Sequence, residues 1–164
     1  MYAASESVPR MHMHRHEIRD PLDLYGARRG LVDYGTKLQF PRPDCQELAI
    51  VVTELISNIL KYGKRGAIRY DRVDTPEHGM GIFVVASDEG PPFHDLSLAL
   101  KDGWNDRGPI DPVTLLNRGG LGTGMGAIVR FTDSFEVLQH AGGKEIRVIR
   151  YRTRPRAAKV PRVL

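Results

Sequence analysis

The stretch P-D-C-Q-E-L-A-I-V-V-T-E-L-I-S-N-I-L-K-Y-G, residues 43–63, decides how the chain is read. Asp44 stands at a helix start with Glu47 three residues on, the spacing of a capping box. Gly63 and Gly66 mark the end. Between them, Leu48, Val52, Leu55 and Ile59 cover much of the helical circumference. The polar positions Glu47, Glu54, Asn58 and Lys61 fall in one narrow stripe at about 100° per residue. A mostly buried helix with a single polar stripe is expected. Glu54 and Asn58 are i, i+4 neighbours and face the same way. A carboxylate beside a carboxamide offers a general base and an oxygen ligand for a hard cation such as magnesium. The same stripe would also serve as the wet side of a surface helix.

Outward from this helix the chain divides into regular segments. Upstream, residues 11–19 read as an edge strand. Asp20-Pro21 reads as the cap and first residue of a helix reaching about Lys37. Downstream, residues 67–73 alternate as a strand, and the apolar run 81–86 reads as a central strand buried on both faces. Residues from Asp88 to Gly124 are irregular, with helical candidates near 96–102 and 112–117. A stretch this long inside a small domain is usually a lid or binding loop. A third helix is expected over 125–132, then strands 134–138 and 145–151 joined by the turn A-G-G-K. The order β-α-α-β-β-lid-α-β-β implies an α/β (α+β) two-layer sandwich, a mixed sheet with helices on one face. The domain is expected over 11–151, with a lid over about 94–118, a disordered tail over 1–10 and a basic tail over 152–164.

Composition supports one soluble domain. The chain has 164 residues, 41% hydrophobic and 27% charged, with a formal net charge of +4. That length suffices for one core and is short for two. No run approaches the ~18 apolar residues of a membrane span, and the start lacks a secretory apolar core. A single cysteine, Cys45, excludes an intramolecular disulfide and fits a reducing compartment, so a cytoplasmic location is expected. Arg150, Arg152, Arg154, Arg156, Lys159 and Arg162 crowd the last fifteen residues. They read as a solvated terminus. Nucleic-acid binding is disfavoured, because no aromatic residue follows Tyr151 to stack on bases.

Two further segments carry chemistry. In D-E-G-P-P-F (88–93), an acid sits just past a buried strand and before a turn. Asp88 could accept from a ligand amine such as that of adenine, or bond its own backbone as turn aspartates do. G-G-L-G-T-G-M-G (119–126) runs directly into a helix. Its glycines allow close backbone approach to an anion, and the helix terminus adds free N–H groups. It ends in no Lys-Ser or Lys-Thr pair, so it is not a P-loop.

Taken in order, E-L-I-S-N-I-L-K-Y-G (54–63), D-E-G-P-P-F and G-G-L-G-T-G-M-G resemble the N, G1 and G2 boxes of the GHKL (Bergerat-fold) ATPases. With K-D-G-W-N (101–105) and V-R-F-T-D-S-F-E-V (129–137), the chain is most similar to the anti-sigma-factor serine/threonine kinases of bacterial partner-switching systems. The resemblance implies ATP and magnesium as cofactors and phosphorylation of a STAS-domain antagonist protein in sigma-factor or stress signalling. It also implies that Asn58 holds magnesium, Glu54 is the catalytic base and Lys61 lies near the phosphates. Asp88 would bond the adenine amine, and Gly90 would leave room for the base. Gly120, Leu121, Gly122, Thr123 and Gly124 would wrap the phosphates. A sigma factor or a PP2C-type phosphatase is a further partner it admits, as is a homodimer. Pro92 departs from the pattern, standing where the family usually has a second glycine. A proline there bears on nucleotide affinity and lid closure. A nucleotide-binding anti-sigma factor or phosphatase-activating module without kinase activity is the alternative.

Smaller features remain. His12, His14 and His16 alternate on one strand face, which suits a metal or simply an exposed edge. Cys45 lies in the first turn of a helix, where a thiolate would be stabilised, though no neighbouring base is evident. Trp104 in the lid would anchor a partner or hold the lid down.

Overall fold

The computed structural model describes residues 13–100, 104–105, 108–109, 124–153 and 162–163. Along the chain run β1 (His14–Ile18), α1 (Asp23–Lys37), α2 (Arg42–Tyr62), β2 (Gly66–Thr75) and β3 (Gly79–Asp88). Then come α3 (Leu96–Ala99), β4 (Trp104–Asn105), β5 (Gly108–Pro109), α4 (Gly124–Phe131), β6 (Ser134–His140), β7 (Gly143–Tyr151) and β8 (Arg162–Val163). The strands form one sheet in the order β1-β2-β3-β7-β6-β8, with β4-β5 as a separate ladder. This is the α+β sandwich read from the sequence. The helical candidate at 112–117 and the tail at 1–10 lie outside the described residues.

The sheet is mixed only through its last strand. The pairs β1·β2, β2·β3, β3·β7 and β6·β7 are antiparallel, and β8 alone lies parallel, against Glu136 and Val137 of β6. The C-terminal tail is therefore not wholly a free terminus, since Arg162–Val163 extends the sheet. The expected lid also holds regular structure that its composition concealed, the ladder pairing Trp104 with Pro109 and Asn105 with Gly108.

Alternation along the strands builds the two layers. Ile68, Tyr70, Ile82, Val84, Ala86, Ile146 and Val148 join one core with Leu48, Val51, Val52, Leu55 and Ile56 of α2 and Met125 and Ile128 of α4. The opposite face carries charge, with Arg69 and Arg147 both paired to Glu145 at 3.0 and 2.7 Å. β3 is central as expected but not uniformly buried on that second face. Val85 is buried there, in register between Arg69 and Arg147, while Phe83 is half-buried. The aliphatic stems of flanking arginines can cover an apolar neighbour in this way.

Both helix starts differ from the local capping signals. Asp20 accepts the Leu22 N–H at 2.7 Å, and Asp23 accepts those of Arg19 and Asp20 at 2.7 and 3.0 Å. These bonds close a turn, so α1 begins at Asp23 rather than at Pro21. The same backbone N–H groups hold the Asp23 carboxyl below its ordinary range. α2 begins at Arg42, after Pro41 and with Pro43 in its first turn, and no side chain caps it. Proline's fixed φ suits that turn, where its missing N–H has no helical partner anyway.

Asp44 and Glu47 serve a long-range partner instead of a capping box. Arg150, 1% exposed, places Nη2 2.9 Å from Asp44 Oδ1 and Nη1 2.6 Å from Glu47 Oε2. Its Nη1 also donates to the Phe131 carbonyl at 2.7 Å, at the end of α4. One guanidinium thus ties β7 to both helices, and Arg150 belongs to the core rather than to the basic tail. Removing one partner of a buried ion pair leaves uncompensated charge. Arg150→Ala should lower stability by about 3 kcal/mol, read as a lower urea midpoint in equilibrium unfolding.

Candidate functional site

The polar stripe of α2 runs from the core outward. Glu54 is 4% exposed, so it is no part of a wet surface. Asn58, one turn later, is half-buried, and its Nδ2 is buried without a hydrogen-bond partner. Lys61 is exposed on the last turn. The helix then stops at Gly63, whose N–H bonds the Ile59 carbonyl at 2.8 Å and whose backbone is extended.

That stop is where the second segment arrives. Asp88 ends β3, and Glu89 N–H donates to the Lys64 carbonyl at 2.7 Å. A Cβ on Gly63 would lie 2.7 Å from Asp88 Cγ, and one on Gly90 would lie 2.5 Å from the Tyr62 carbonyl oxygen. Only residues without side chains let these two chain segments touch. Gly90 is therefore needed for this contact, which differs from the expected role of leaving space for a base. The structure brings together the end of the stripe bearing Glu54, Asn58 and Lys61 and the carboxylate of Asp88.

Asp88 has partners that the sequence did not announce. Its side chain is 6% exposed and that of Lys144 is 3% exposed, with Nζ 2.9 Å from Oδ1. Gly90 N–H donates to the same Oδ1 at 2.7 Å, so the turn-aspartate reading is also realised. Lys144 stands opposite Asp88 in the β3·β7 register. Its neighbour Gly143 has φ of 151°, and a Cβ there would collide with the Asp88 carbonyl. No ordinary side chain fits at that turn.

The loop leaving Asp88 is held at two further points. Lys144 Nζ donates to the Pro91 carbonyl at 2.9 Å and lies 5.4 Å from the centre of the Phe93 ring. Phe93 N–H donates to Gln139 Oε1 of β6 at 2.7 Å. No residue from Glu89 to Phe93 has a positive φ. Pro92 thus sits in a path that never requires the conformation only glycine favours. Lys144 and Gln139 were invisible in sequence. Each is one of several polar residues on its strand, with nothing nearby in the chain to name its partner.

The glycine-rich segment is described only at its end. Gly124 opens α4 with φ of 59°, a left-handed conformation suited to glycine. Gly120, Leu121, Gly122 and Thr123 lie outside the described residues. Met125 and Ile128 of α4 bury in the same core as α2.

The smaller candidates resolve structurally. Burial pushes the Cys45 thiol up, and Sγ lies 3.8 Å from the Phe40 carbonyl. His14 and His16 stack on Tyr70 at 5.0 and 5.7 Å between ring centres, and His16 Nε2 is 3.2 Å from the Tyr70 hydroxyl. Desolvation lowers the His16 pKa and raises that of Tyr70 to about 12. His12 and the Trp104 side chain lie outside the description.

A sheet antiparallel but for its last strand thus lies under a helix bearing Glu54 and Asn58, with Asp88 at the adjoining strand end and Gly124 heading the next helix. The histidine kinase-like ATPase domain family matches residues 19–150, and the chain belongs to that family. It is an ATPase or kinase of the GHKL type. The chain is also 28% identical over 130 residues to the serine/threonine-protein kinase RsbT of Bacillus subtilis (strain 168), covering 79% of this chain and 89% of that protein. Among the described residues, no helix is long and apolar enough to cross a membrane.

Gly90→Ala should force Asp88 away from the end of α2. Overpacking of this kind typically costs about 1–3 kcal/mol. A drop in the thermal midpoint of several degrees is expected in calorimetry, and an unchanged midpoint would show that the contact has slack.

Proposed function

We propose that this protein is a magnesium- and ATP-dependent serine/threonine protein kinase that phosphorylates a STAS-domain antagonist protein and so switches its partners. The observation that carries the reading is the burial of Glu54 one turn before Asn58, on a helix whose end lies against the Asp88 carboxylate. Glutamate is among the residues least often found fully buried. The protein resembled over most of its length, RsbT, is itself a serine/threonine kinase.

The residues suit the groups implied. Asn58 has a buried amide nitrogen without a hydrogen-bond partner among the described residues. Its Oδ1 would hold magnesium, which takes few protein ligands and keeps waters and phosphate oxygens. Bound magnesium and ATP supply the phosphoryl group and the charge neutralisation that its transfer needs. Glu54 would take the proton of the acceptor hydroxyl. Lys61 would add positive charge near the phosphates. Both described bonds to Asp88 use Oδ1, which leaves Oδ2 for the exocyclic amine of the base. Gly124 and the glycines before it would bring backbone N–H groups and the α4 terminus to the phosphates.

The substrate side follows the resemblance to partner-switching kinases. Recognition and phosphorylation of a small STAS-domain protein would be one event, since the acceptor hydroxyl must reach Glu54. A cytoplasmic location accords with this role.

The test is transfer of label from γ-labelled ATP to a purified STAS-domain antagonist protein. Asn58→Ala should abolish magnesium-dependent transfer while circular dichroism and the unfolding midpoint stay near those of the parent. Asp88→Asn should weaken ATP binding at least about tenfold, because a charge-assisted bond becomes a neutral one. No transfer by the parent would remove the kinase assignment, unimpaired transfer by Asn58→Ala would remove the magnesium role of that residue, and unimpaired binding by Asp88→Asn would remove the adenine assignment.

A further inference from the structure

We infer that Lys144 reads the nucleotide base together with Asp88, donating to an unprotonated ring nitrogen beside the exocyclic amine that Asp88 accepts. The inference rests on the nucleotide reading of Asp88 given above. It deepens that reading by assigning the site a second base-specific residue.

The first observation is where the ammonium sits. Lys144 is 3% exposed and its Nζ is 2.9 Å from a carboxylate that is itself 6% exposed. Desolvating such a pair is expensive, and an apolar pair of similar volume often serves stability as well or better. Unlike Arg150, this cation sits on the very carboxylate to which the base is assigned.

The second observation is valence. An ammonium carries three N–H donors. Two go to Asp88 Oδ1 and the Pro91 carbonyl, each at 2.9 Å. No third acceptor is recorded among the described residues. Asp88 in turn receives both Lys144 and Gly90 on Oδ1. One acceptor oxygen and one donor hydrogen remain, on groups already in contact. Adenine offers the matching pair along one edge, an amine that donates beside a ring nitrogen, N1, that accepts.

The third observation is rigidity. Lys144 is tied to Asp88 and Pro91 and lies close to the Phe93 ring, while Phe93 is fixed to Gln139. A donor that cannot swing away discriminates strongly, because a base lacking the acceptor leaves it unpaired out of water.

The experiment is calorimetric titration of the whole protein, in magnesium, with ATP and with 1-deaza-ATP, in which ring N1 is replaced by C–H. Lys144→Met is titrated alongside. The parent should bind the deaza analogue about ten- to hundredfold more weakly than ATP. Lys144→Met should lose a similar factor for ATP and bind the two nucleotides within about twofold of each other. Equal affinity of the parent for both nucleotides overturns the inference and leaves the nucleotide reading standing. A Lys144→Met protein that keeps the preference for ATP does the same. A parent that binds no ATP removes the nucleotide reading and this inference with it. Should the methionine variant not fold, equal affinity of the parent for the two nucleotides still overturns the inference, and Lys144→Arg, which keeps a cation but moves its donors, takes the variant's place.

Discussion

The contact between the end of α2 and the end of β3 is the constraint on which the site depends. Helix and strand approach until backbone meets side chain at Gly63 against Asp88 and backbone meets backbone at Gly90 against Tyr62. Every other part of the corner is arranged around that approach. Gly143 gives way to the Asp88 carbonyl, and Lys144 reaches across from β7 to neutralise the carboxylate so enclosed. The loop to Phe93 is then held by side chains from two neighbouring strands. Chemistry that needs a carboxylate at a fixed spot can be built here because the backbone, not a long side chain, sets the spot.

A second buried charge stabilises the opposite end of α2. Arg150 gathers Asp44, Glu47 and the last carbonyl of α4 around one guanidinium. The helix that bears Glu54 and Asn58 is thus fastened to β7 near its start and abuts β3 at its finish. Both fastenings involve β7, through Arg150 and through Lys144, which lie six positions apart on that strand. An even separation places both side chains on the same face of the sheet, the face that α2 covers.

The element order was legible because its signals are local and periodic. The apolar circumference of α2, the continuous run of β3 and the A-G-G-K turn each identify themselves within ten or twenty residues. Glu54, Asn58 and Asp88 stood out as candidates for the same reason. What stayed hidden was long-range pairing. Asp44 and Glu47 look like a capping box, yet a cation about a hundred residues later claims them, because a buried guanidinium needs two carboxylates more than α2 needs a cap. Asp20 carried a capping signal too, and was drawn instead into a turn completed by Asp23. Lys144 gave no sign of its partner, since register across a sheet is set by the whole hydrophobic pattern and not by the residue itself. The short ladder at Trp104 was hidden by a composition typical of loops.

The anchoring of Phe93 and the placement of Gly124 at the head of α4 have an evolutionary consequence. The interval between them leaves from one secured point and returns to another. For a flexible loop between fixed ends, the entropy of closure grows only with the logarithm of its length, about 0.6 kcal/mol for each doubling. Descendants of one ancestral scaffold could therefore vary the length of this interval at little cost, provided that Ala99 keeps its place in the core and the corner formed by Asp88 and Lys144 is left intact.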